Sequence, residues 1–201
     1  MAKLILVRHG ESEWNQKGLW TGLTDIGLSE KGKIEAKSAG EKLKGLPIDI
    51  AYTSILLRAK QTLDEIKNVL GIDVPTIADK ALNERDYGVY TGKNKWEIQK
   101  EVGEEQFQKI RRGWDTAIQN GESLKNVYDR VVPYYQSEIL PKLKEGKNIL
   151  ISAHGNSLRA LVKHLENISN ADISSLELAT GEVYVFEIDN NGNMLSKKIL
   201  S

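Results

Sequence analysis

The chain has 201 residues, with 28 Lys plus Arg against 28 Asp plus Glu, 40% hydrophobic residues and no Cys. A length of this order lets a single core bury roughly 70% of the unfolded chain's surface, so the fold needs no covalent or metal staple. Balanced, interspersed charge excludes a general nucleic-acid binder, and the lack of Cys excludes disulfides and thiolate metal sites.

The apolar run from Lys3 to Val7 is too short for a signal core or a membrane span. It reads as a strand buried on both faces, and together with the absence of Cys it points to a cytoplasmic protein with no membrane partner. It delivers Arg8-His9-Gly10-Glu11-Ser12 at its end. Ser29 to Lys44 follows with apolar residues at helical spacing. Gly27 to Lys33 fits G-x-x-x-x-G-K, but Ile34 replaces the hydroxyl a P-loop needs and no strand precedes it. Ile48 to Tyr52 is a second strand, running into Thr53-Ser54 and a helix over Ile55 to Leu70 that carries Arg58. A polar loop, Leu82 to Gly88, holds Glu84. Helical patterns cover Asn94 to Arg112 and Ser123 to Lys144, then a buried strand, Asn148 to Ala153, delivers His154-Gly155-Asn156-Ser157. A helix over Asn156 to Leu165 and a strand over Val183 to Ile188 complete the pattern. With no repeat, low-complexity stretch or linker, residues 1–201 are expected to form one catalytic domain. The alternation predicts an α/β three-layer sandwich: a mostly parallel central sheet, helices on both faces, and ligands beyond the carboxyl ends of the strands.

The chain has three His, and two of them sit in His-Gly turns at such strand ends. A lone His at a strand end is usually a satisfied structural residue; the second turn reverses that expectation. Neutral imidazole is a good nucleophile near pH 7, and phosphorus is its natural electrophile here. Arg8 can grip phosphate oxygens with its planar fork, Ser12 and Asn15 offer neutral donors, and Gly10 is expected to let backbone approach the anion. Arg58 and the N-terminus of its helix attract the same anion. Glu84 can exchange a proton with a substrate oxygen. No H-E-x-x-H occurs and no carboxylates cluster at ligand spacing, so no metal site is expected.

These residues resemble the histidine phosphatase superfamily, and within it the 2,3-bisphosphoglycerate-dependent phosphoglycerate mutases. The resemblance rests on Leu6-Val7-Arg8-His9-Gly10-Glu11-Ser12-Glu13-Trp14-Asn15, on Thr53-Ser54 with Arg58-Ala59, and on Ala153-His154-Gly155-Asn156-Ser157-Leu158-Arg159, in family order over nearly the whole chain. Leu82-Asn83-Glu84-Arg85 with Tyr87-Gly88, Gly92, Asn94-Lys95 and Arg111-Arg112 indicates the mutases. The resemblance implies a phosphoglycerate mutase-like fold and interconversion of 3-phosphoglycerate and 2-phosphoglycerate in glycolysis and gluconeogenesis. It implies that His9 is phosphorylated with 2,3-bisphosphoglycerate as priming donor and no metal. Arg8, Arg58 and His154 would surround the phosphoryl group, and Glu84 would be acid and base. Ser12, Asn15, Thr21, Gly22, Arg85, Tyr87, Lys95, Arg111, Arg112, Gly155 and Asn156 would hold the phosphorylated three-carbon acid. Longer mutases carry an insertion where only Gly113 to Gly121 stand here, and Gly18, Leu23, Lys80-Ala81 and Asp86 depart from their usual residues. None removes a catalytic group; short forms include monomers, so a monomer or homodimer is expected. The alternatives are a histidine-type phosphomonoesterase, which needs no Lys95 or Arg111-Arg112 grip, and a non-catalytic phospho-ligand module.

Overall fold

The computed structural model describes residues 1–200. Six strands form one sheet in the order β3-β2-β4-β1-β5-β6. They are β1 (Ala2–Arg8), β2 (Ile50–Thr53), β3 (Thr76–Ala78), β4 (Ile149–Ala153), β5 (Val183–Ile188) and β6 (Met194–Leu200). The first four are parallel, whereas β5 pairs antiparallel with β1 and with β6. The helices are α1 (Glu13–Gln16), α2 (Glu30–Lys42), α3 (Leu57–Leu70), α4 (Lys95–Val102), α5 (Glu104–Arg112), α6 (Leu124–Tyr134), α7 (Leu140–Lys144) and α8 (Gly155–Glu166). None is long and apolar enough to cross a membrane.

Strand alternation creates the three layers. Ile5, Val7 and Leu150 face Ala39 of α2, Leu43 at its C-terminal cap, and Leu63 and Ile66 of α3. Leu4, Leu6, Ile149 and Ile151 face Val127 and Val131 of α6 and Leu158 and Leu161 of α8. Both central strands are buried on both faces, as their unbroken apolar runs require.

The connections leaving β1 and β4 diverge. The chain after β1 returns through α2 to β2 on the far side of β4, while the chain after β4 returns through α8 to β5 on the far side of β1. Such a divergence opens a crevice beyond the carboxyl ends of the two strands. Register places Arg8 beside Ala153, and the His9 N–H donates to the Ala153 carbonyl at 2.9 Å.

Two long helical patterns are interrupted. Asn94 to Arg112 breaks at Gly103, whose φ of +80° and ψ of 160° favour glycine. The break folds α5 back so that Phe107 and Ile110 pack with Trp20, Tyr87, Ile98 and Ile118 in a separate cluster beside the crevice. Ser123 to Lys144 passes through a wider turn over Tyr135–Ile139, where the Leu140 N–H reaches the Tyr135 carbonyl, five residues back. Pro141, with no N–H of its own, follows directly. Strands β3 and β6 were not expected: both lie at sheet edges, and the exposed Leu195 to Ile199 stretch shows no apolar alternation.

Candidate active site

Three parallel strands, β1, β2 and β4, end side by side, and the turns that follow them supply His9, Ser54 and His154. The two imidazole rings meet edge to face, centroids 4.9 Å apart. His9 Nδ1 lies 2.7 Å from the Gly10 carbonyl. A carbonyl can only accept, so Nδ1 carries the proton and Nε2 keeps the lone pair. His154 Nε2 lies 2.7 Å from the Ser54 hydroxyl, which also accepts from the Leu56 N–H. His154 Nδ1 is buried and has no hydrogen-bond partner among the described residues.

Both rings are neutral. Burial is the largest cause holding each well below the ordinary imidazole range, followed by the charge of Arg58, with Arg8 acting in the same direction. Because the folded pKa is the lower one, the unfolded chain takes up more protons as pH falls. Stability is therefore fully present above about pH 6.5 and is lost as pH falls towards the folded values. Two such groups act in the same sense and steepen the loss beyond that of a single titrating ring. Urea midpoints between pH 7 and 5 should fall accordingly, and His154→Asn should remove about half the slope; a flat profile in the parent would overturn the assignment of neutral, buried rings.

A crevice partly open to solvent lies over His9. Arg8, Asn15, Thr21, Gly22, Arg58, Glu84, Tyr87, Lys95, Arg111, Arg112, Gly155 and Asn156 line it, and all were singled out in the sequence. Glu84 is fixed through Oε1, which accepts from Arg85 N at 2.7 Å, Asn156 N at 3.2 Å and Asn156 Nδ2 at 3.0 Å. Three donors on one oxygen leave Oε2 as the atom that can carry a proton. The Asn156 amide also donates to the Tyr87 hydroxyl at 2.8 Å. Arg58 donates to the Gly22 and Thr24 carbonyls at 2.8 and 3.0 Å, tying down the wall that presents Thr21. Lys95 is pushed down to about 8 by burial and by Arg111, Arg8 and Arg112. Arg8 Nε and Thr21 Oγ1 are buried without a partner among the described residues. Desolvated cations and orphaned polar groups on one wall are what a polyanion would satisfy.

Four residues stand elsewhere than expected. Ser12 is fully buried and its hydroxyl accepts from the Asn15 N–H, capping α1, so it does not face the crevice. Arg85 is fully buried behind the wall, stacked 4.7 Å over the Tyr87 ring and bonded to the Ile110 carbonyl. His154 sits behind His9, with no exposed surface. Gly10 is required for a different reason from close approach to an anion: a Cβ there would lie 2.2 Å from the Gly32 carbonyl oxygen of α2. Its N–H is already used by the Thr62 hydroxyl at 3.1 Å.

Trp20, Arg159, Glu177 and Leu178 line the crevice without having been proposed. Arg159 was legible, because it lies one helical turn beyond Gly155 on α8. Glu177 and Leu178 lie in an irregular segment with no periodic signal, yet Glu177 pairs with Arg112 and the Leu178 carbonyl accepts from Arg8. Among the described residues no three His, Asp or Glu side chains gather as a metal site would require.

Comparison with known proteins agrees with this architecture. Residues 4–199 match the model of the histidine phosphatase superfamily (branch 1). A Chelativorans sp. (strain BNC1) protein named 2,3-bisphosphoglycerate-dependent phosphoglycerate mutase is 52% identical over 200 residues, covering 98% of this chain and 97% of its own length. A Parvibaculum lavamentivorans protein of the same name is 48% identical over 200 residues, covering 98% and 95%. A mycobacterial glucosyl-3-phosphoglycerate phosphatase shares the fold, with a TM-score of 0.82 at 23% identity over 99% of this chain and 98% of that one. Paired strand-end histidines, the three-layer sheet and the full-length match together make this chain a member of branch 1 of the histidine phosphatase superfamily.

Proposed function

We propose that this chain interconverts 3-phosphoglycerate and 2-phosphoglycerate through a phosphohistidine at His9. The observation that carries the reading is the Nε2 lone pair of His9 beneath a crevice ringed by Arg8, Arg58, Lys95, Arg111, Arg112 and Arg159, with the Glu84 carboxyl on the same wall. The names of the relatives support the same reaction and its priming donor. The excess of cations fits a three-carbon acid carrying a carboxylate and phosphates. 2,3-Bisphosphoglycerate supplies the first phosphoryl group when bound.

With His9 primed, the free hydroxyl of 3-phosphoglycerate attacks the phosphohistidine: an O–P bond forms as the Nε2–P bond breaks, and Glu84 Oε2 takes the hydroxyl proton. The doubly phosphorylated acid reorients, and a bond forms from His9 Nε2 to its other phosphorus as that P–O bond breaks. The electron pair of that bond stays on the departing oxygen, which takes the proton of Glu84 Oε2. Positive charge developing on the ring is stabilised by the Nδ1–H bond to the Gly10 carbonyl. Arg8 and Arg58 neutralise the phosphoryl oxygens. 2-Phosphoglycerate leaves, and His9 remains phosphorylated for the next turnover. Lys95, Arg111 and Arg112 hold the carboxylate end, and the aromatic cluster of Trp20 and Tyr87 limits access of water to the phosphohistidine.

Phosphorus NMR of 3-phosphoglycerate incubated with the protein and 2,3-bisphosphoglycerate should show the 2-isomer as the main product. A chelator should leave the rate unchanged, because guanidinium groups supply the charge. Inorganic phosphate accumulating faster than the isomer would replace this reading by that of a phosphomonoesterase.

A further inference from the structure

The loop that carries Glu84 is held from outside the crevice by one guanidinium. Arg130 of α6 uses all five of its N–H donors. Its Nη1 donates to the Ala81 and Asn83 carbonyls at 2.7 and 3.0 Å, and its Nη2 donates to the Glu84 carbonyl at 2.9 Å. The remaining donors hold Glu122: Nε to Oε1 at 2.9 Å and Nη2 to Oε2 at 3.0 Å. Glu122 in turn accepts the Asp86 N–H on Oε2 at 2.9 Å and donates its own N–H to the Asp86 carbonyl at 2.9 Å. Residues 81–86 are thus tied at five points to Arg130 in the middle of α6 and to Glu122 just before it.

That anchor is itself rigid. Ser123 and Asn126 form reciprocal caps, and Leu124, Val127 and Val131 are fully buried against the sheet. Neither Arg130 nor Glu122 touches the crevice; both lie on the outer side of the loop, beside Leu23, Asp79 and Lys80. Glu84 is therefore clamped between two supports: its carbonyl by Arg130 outside, and its Oε1 by Asn156 inside.

We infer that Arg130, oriented by Glu122, is a positioning residue for proton transfer: it sets the reach of Glu84 Oε2 to the departing oxygen without touching substrate. The inference rests on the acid role proposed for Glu84. Proton transfer needs heavy atoms within about 2.6–3.2 Å, and a displacement of roughly 1 Å costs on the order of 100-fold. Lysine at this position carries the charge but cannot span three carbonyls and a carboxylate from one planar group.

The test is the dependence of kcat/KM on leaving-group pKa across phosphate monoesters, from p-nitrophenyl phosphate to alkyl phosphates. An ester with a good leaving group needs little acid assistance, whereas an alkoxide needs a full proton, so loss of the acid steepens the plot. Each slope is a ratio measured on one sample, so a smaller folded fraction cancels and a merely structural defect leaves it unmoved. Glu84→Gln should steepen the plot most. Arg130→Lys should steepen it in the same sense, lowering the alkyl-to-p-nitrophenyl ratio roughly 10-fold or more, and Glu122→Gln should do so to a smaller extent. A parental slope in both Arg130→Lys and Glu122→Gln, with a steep one in Glu84→Gln, overturns the inference and leaves the Glu84 reading intact. A parental slope in Glu84→Gln overturns both.

Discussion

His9→Ala should carry no acid-labile phosphoryl label after incubation with 2,3-bisphosphoglycerate, and its mutase rate should fall by a factor on the order of 10⁵ or more, as for other lost nucleophiles. The neighbouring imidazole offers no substitute. His154 stands behind His9 with no exposed surface, and its Nε2 is engaged with the Ser54 hydroxyl. His9 alone presents an unengaged ring nitrogen at the floor of the crevice, because the Gly10 carbonyl fixes the tautomer. The cations remain in the variant, so calorimetry should still detect 3-phosphoglycerate binding. Label retained on His9→Ala would exclude His9 as the nucleophile; label lost from His154→Ala but retained on His9→Ala would exchange the two roles.

Arg58→Lys should lower the rate of His9 labelling by about 10² to 10³, the usual cost of removing a preorganised donor from developing charge. The guanidinium has two tasks that an ammonium cannot combine. It lies in the crevice wall and it also spans the Gly22 and Thr24 carbonyls, which hold Thr21 in place. Arg58 is also the largest charge acting on both imidazoles after burial. Lysine keeps that charge, so the two rings should stay neutral to similarly low pH while the transfer step slows. Rapid-quench measurement of phosphoenzyme formation between pH 5.5 and 8 separates the effects. A labelling rate within threefold of the parent would show that Arg58 only anchors the loop.

Legibility in the sequence followed local chemistry. The two buried strands were visible because strands covered on both faces must be continuously apolar, as in Leu4 to Val7 and Ile149 to Ile151. The His-Gly turns were visible because they stand at the ends of those strands. Ser29 and Ser123 marked helix starts, and both are N-caps. The chain around Gly103 was read as one helix because apolar spacing continues across it, although its positive φ turns the chain there. That turn decides the fate of Arg111 and Arg112. On an unbroken helix they would be an exposed basic pair; on α5, folded back over Phe107 and Ile110, they reach the crevice.

The same limit applies to residues whose roles differ from expectation. Ser12 and Arg85 have the right chemistry for an anion, but each is held away from the crevice by a nearer partner: the Asn15 N–H for Ser12, the Ile110 carbonyl and the Tyr87 ring for Arg85, whose Nε and Nη1 stay buried without a partner among the described residues. Glu177 carries no pattern at all, and only the path of the chain before β5 brings it to Arg112.

By itself the order of residues determined four of the six strands, the helix starts after Ser29 and Ser123, and which side chains could do phosphoryl chemistry, since these depend on periodicity and on functional groups within a few positions. Tertiary structure alone decided which oxygen of Glu84 can hold a proton and what clamps the loop that carries it. Those depend on partners such as Asn156 and Arg130, 72 and 46 residues away along the chain. Hydrogen-bond direction and desolvation act over a few ångströms in space and leave no periodic trace in the sequence.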